Sequence, residues 1–110
     1  MANHHRGEIF AELGGRSHTL CLTLGALAEL EAAFGAEDLL ALAARFESGR
    51  LSARDAIRIL GAGLRGGGTA MSDEEVAALS APGGLAGHLD VVARLLSATF
   101  GPGRADSAAG

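Results

Sequence analysis

The sequence predicts an α+β fold, mostly α: an N-terminal β-hairpin followed by a compact bundle of four to five short helices. Three observations carry this reading. Two short segments alternate apolar and polar residues around Gly14-Gly15, and from Leu24 the apolar period becomes helical. Gly35, Gly49, Gly66-Gly67-Gly68, Pro82-Gly83-Gly84 and Gly101 then cut the helical pattern into short lengths.

The hairpin is specified twice over. Gly-Gly suits a two-residue turn because both central residues need positive φ. Such a turn sets Leu13 opposite Arg16, Ala11 opposite His18, Ile9 opposite Leu20 and Gly7 opposite Leu22. One face then collects Ile9, Ala11, Leu13, Leu20 and Leu22, and the other Glu8, Phe10, Glu12, Ser17, Thr19 and Cys21. Turn chemistry and alternation agree on a single register. A lone hairpin is marginal in water, so helices must cover its apolar face.

The first helix puts Leu24, Leu27, Leu30 and Phe34 on one face, and Gly35 stops it at C′. A second helix is expected from about Ala36 to Gly49, with Glu37 and Asp38 at its positive end and Leu39, Leu42, Ala43 and Phe46 as its stripe. The third opens at Ser52-Ala-Arg-Asp55, a capping box with Asp in place of Glu, and carries Ile57, Leu60, Gly61 and Leu64. Ser72-Asp-Glu-Glu75 is a full capping box for a short fourth helix through Val76 and Leu79. The last helix, Leu85 to Phe100, centres its apolar face on Leu85, Leu89, Val92 and Leu96, with Val91 and Leu95 extending it to one side and Asp90 and Arg94 paired on the polar side.

One domain fits 110 residues. Residues 1–5 read as a flexible arm, 6–101 as the domain and 102–110 as a disordered tail. With 48% hydrophobic and 20% charged residues the chain suits a folded domain. Aromatics supply only 4%, so the core must be built from Leu, Ile, Val and Ala. The net charge is −4, and the nine basic residues, all Arg, are scattered among thirteen carboxylates. A nucleic-acid binder would carry a basic stripe. The single cysteine, Cys21, precludes an internal disulfide, no apolar stretch approaches the ~20 residues of a membrane span, and no secretory leader is visible. Nucleic acid and membrane are therefore not expected as partners, and the location expected is the cytoplasm.

Candidate chemistry is sparse. Gly61-Ala-Gly63-Leu-Arg-Gly66 matches G-x-G-x-x-G in letters. The phosphate-binding form needs a strand before it and a helix after it, whereas these glycines fall within and at the end of a helix. They read as close helix packing at Gly61 followed by a flexible exit loop. His4, His5, His18 and Cys21 lack the local spacings of a zinc site, and His18 and Cys21 belong to opposite faces of the hairpin. Ser17, His18 and Cys21 form no nucleophile–base–orienter arrangement. The acids Glu29, Glu31, Glu74 and Glu75 are accounted for by helix surfaces and caps. No catalytic residue, cofactor, metal or small-molecule substrate is expected.

Two features ask for a partner. Phe10 is an aromatic on the polar face of the hairpin. The last helix has an apolar sector near half its circumference, which suits either the centre of the bundle or a contact with another chain. Phe10, Val91 and Leu95 are the residues assigned to that contact.

Several phrases resemble the gene transfer agent family grouped with phage tail assembly chaperones, whose members are also labelled tail tube proteins. They are Gly7-Glu8, Leu22-Thr-Leu-Gly-Ala-Leu-Ala-Glu-Leu-Glu31-Ala-Ala-Phe-Gly35, Leu51-Ser-Ala-Arg-Asp55, Ile59-Leu-Gly-Ala-Gly-Leu-Arg-Gly-Gly67 and Asp73-Glu-Glu-Val76. The resemblance covers roughly Arg6 to Gly101, and its most specific part is Thr23 to Glu31. It implies a non-enzymatic protein of a phage-like tail gene cluster. The role expected first is the chaperone, which holds the tape-measure protein in solution while the tail tube protein polymerises, because an Ala/Leu-rich helical domain with spare apolar surface suits capture of a helical client; the alternative is a structural one. In the structural role it is part of the tube or bound to it. Self-association is compatible with both.

Overall fold

A computed structural model describes residues 7–35, 40, 41, 43, 44, 48 and 52–101. The arm at 1–5 and the tail at 102–110 lie outside these residues. Of the helix expected from Ala36 to Gly49, Leu40, Ala41, Ala43, Ala44 and Ser48 are described; the first four are helical and Ser48 is a turn residue.

Strands β1 (Glu8–Leu13) and β2 (Arg16–Cys21) form a two-stranded antiparallel sheet. Ile9 pairs with Leu20, Ala11 with His18 and Leu13 with Arg16, the register the turn predicts. Gly14 and Gly15 take φ of +63° and +79° to close it. Ile9, Ala11, Leu13, Leu20 and Leu22 are all buried. The hairpin tip is anchored as well, since the Gly14 N–H donates to the Ser80 carbonyl at 2.8 Å.

Helix α1 (Leu24–Phe34) starts at Thr23, whose hydroxyl accepts from the Ala26 N–H at 3.1 Å, and stops at Gly35 in the left-handed region. It buries Ala26, Leu27 and Leu30. Leu24, expected on this face, is instead 79% exposed. The buried sector centres on Leu27 and Leu30, and at about 100° per residue Leu24 falls off its edge.

Helix α2 (Ala53–Gly66) is the centre of the molecule, touching β2, α1 and the two helices that follow. Its capping box forms in both directions: the Asp55 N–H donates to Ser52 Oγ at 3.1 Å and the Ser52 N–H to Asp55 Oδ2 at 3.2 Å. Helix α3 (Asp73–Ala77) repeats the device with Ser72 and Glu75. Arg65 joins three helices by pairing with Glu29 at 2.7 Å and Asp73 at 3.0 Å while donating to the Met71 carbonyl. Both carboxylates hold its guanidinium more firmly protonated than a free arginine, the Glu29 hydrogen bond most of all.

Helix α4 (Leu85–Phe100) lies against β1 and α2. The hairpin's apolar face thus rests on α2 and α4, and α1 closes the other side of α2. The core runs from Ile9, Leu13 and Leu20 through Ile59 and Leu64 to Val92 and Leu95. Each fully buried aliphatic side chain there contributes roughly 1.5–3 kcal/mol.

Candidate interaction surface

Which side of α4 faces outward decides what the molecule offers to a partner. The helix buries Val91, Val92 and Leu95, while Leu85 is 66% and Leu89 40% exposed. This corrects the assignment of Val91 and Leu95 to a contact surface: Leu95 is fully buried and Val91 nearly so. The core-facing sector is turned by about one residue step from the Leu85–Leu89–Val92–Leu96 axis.

Two neighbours fix that rotation. Gly63 of α2 carries no side chain where Leu95 packs, and a methyl there would come within 2.6 Å of Leu95 Cδ2. From the polar side, Arg94 donates to the Phe10 carbonyl at 3.0 Å and pairs with Asp90 at 3.2 Å. With Leu95 drawn into α2 and Arg94 tied to β1, Leu85 and Leu89 can only face away from the hairpin.

Leu85 opens onto an apolar pocket of ≈ 150 Å³, lined also by Ala53, Ile57 and Leu60 of α2, Val76 and Ala77 of α3, and His88. His88 sets its Nδ1 and Nε2 each 3.0 Å from a main-chain carbonyl oxygen, of Gly84 and Leu79 respectively. None of the lining residues carries a carboxylate or a hydroxyl. What it offers is apolar area.

Phe10 stands on the outward face of the hairpin, opposite Thr19, and is 44% exposed. Phe10 and the Leu85–Leu89 pair belong to different elements. Nothing in the sequence of α4 separates Leu85 and Leu89 from its buried apolar residues; the signals for the helix's rotation are Gly63 on its neighbour and the Arg94 bond to the Phe10 carbonyl.

The other candidates resolve into structure. Gly61 leaves room for the Asp73 carboxylate beside Arg65, and methyl groups at Gly66 and Gly67 would fall on the carbonyls of Cys21 and Thr19. The end of α2 is therefore pressed onto the edge of β2, which corrects the expectation of a flexible exit at this point. His18 shares the inward register with Ala11 and sets Nε2 3.1 Å from the Leu13 carbonyl oxygen, while Cys21 shares the outward register with Glu8. Burial, and then the Glu8 charge, pushes the Cys21 thiol above its ordinary value, so little thiolate forms at neutral pH. Among the described residues no three His, Cys, Asp or Glu side chains gather as metal ligands; His4 and His5 lie outside them. No described helix is long and apolar enough to cross a membrane.

The family described as phage tail tube protein, GTA-gp10, matches residues 6–102, almost the whole chain. No curated protein and no solved structure matches.

Proposed function

The chain belongs to the phage tail tube protein, GTA-gp10, family, and from that premise we propose that it is a structural tail tube or tube-associated component of a gene-transfer-agent particle. It acts by contact with other tail proteins and transforms no compound. The family match carries this reading, and the apolar surface at Leu85, Leu89 and the adjoining pocket supports it. The contacts run through that surface and through Phe10, and assembly takes place in the cytoplasm of the producing cell.

One feature favours the second role, a tail assembly chaperone that binds the tape-measure protein. A tube wall made from sheets needs strand edges that neighbouring subunits can continue. Here α2 abuts the carbonyls of Thr19 and Cys21 on one edge, and Arg94 occupies the Phe10 carbonyl on the other. The described sheet has only two strands.

Mass spectrometry of purified particles separates the two roles. Copies in fixed ratio to the other tail proteins are the expected result. A chain abundant in producing cells and missing from washed particles would overturn the structural role, and co-purification with the tape-measure protein would then establish the chaperone.

A further inference from the structure

We draw no further inference here: the strongest candidate, the apolar pocket between α2, α3 and the first turns of α4 with Leu85 exposed beside it, belongs to the surface already described, and nothing in the structure shows which chain or segment covers it.

Discussion

Helices α2 and α4 are close in length, 14 and 16 residues, yet α2 buries eight residues and α4 three. The difference does not follow hydrophobicity. The buried residues of α2 include Ala56, Ala62, Gly61 and Gly63, while α4 leaves Leu85 and Leu89 in solvent. Small residues let β2 and α4 approach the α2 backbone, so α2 is enclosed on most sides. Large residues on α4 cannot all find a place against one neighbour and a narrow sheet. Burial here tracks how closely elements can approach, and the surplus leucines mark where the domain has stopped packing on itself.

The strongest test of this contrast is the buried face of α4. Leu95→Asp introduces a carboxylate at a fully buried position next to Gly63 and Leu20. The lost packing and the uncompensated charge together cost more than about 4 kcal/mol, a large share of a small domain's total stability. The variant is expected to lose its cooperative melting transition by circular dichroism. A folded variant with a near-normal melting temperature would return Leu95 to the surface.

The enclosed helix is tested next. Gly67 has φ of −86°, which any residue can adopt, so what opposes a side chain there is the β2 main chain at the Thr19 carbonyl and Leu20 Cα. Because that obstacle is backbone, Gly67→Ala forces the α2–β2 contact apart and costs about 1–3 kcal/mol by overpacking. Gly68 makes no such contact, and Gly68→Ala meets only the strain of a φ of +104°. Denaturant unfolding of Gly67→Ala at constant slope should show the loss. An unchanged midpoint would mean that the end of α2 stands off the strand after all.

Much of the enclosed half was legible in the sequence. The hairpin register follows from Gly14-Gly15 and the alternation around it, two signals that specify the same pairing. The caps at Ser52 and Ser72 are local, needing only residues three apart to meet. The rotation of α4 is of another kind. Its leucines and valines span so wide a sector that several orientations bury nearly equal area, and the choice falls to Gly63 and to the Arg94–Phe10 bond, both distant in sequence. That is why the outward pair lies at Leu85 and Leu89 and not at Val91 and Leu95. Leu24 faces solvent for a related reason: in the first turn of α1 one step of rotation separates core from solvent.

The helix starts sharpen the comparison at a smaller scale. Ser52 caps α2 with a full box, whereas Gly84, at φ +64° and ψ −135°, gives α4 no side-chain cap. Ser52→Ala should lower stability by about 1 kcal/mol. Amide exchange should already be faster in the first turn of α4 than in that of α2, and Ser52→Ala should narrow the gap. Equal protection of both first turns in the unaltered chain would remove the asymmetry.

The smallest expected effect on stability is also the one that bears most on function. Leu85→Asp with Leu89→Asp replaces two exposed side chains without removing a core contact, so the pair should change stability by no more than about 0.5 kcal/mol per site. A loss of several kcal/mol would show that these leucines belong to the core, and the contrast between α2 and α4 would collapse. Stability alone would favour polar residues at such positions, since exposed leucines contribute little to folding and promote association. If they serve contact with another tail protein, the folded double variant should fail to enter particles, while a control such as Glu31→Gln at a half-buried position of α1 should enter them normally. Normal incorporation of a folded double variant would rule out this side of α4 as the contact and leave Phe10 as the remaining candidate.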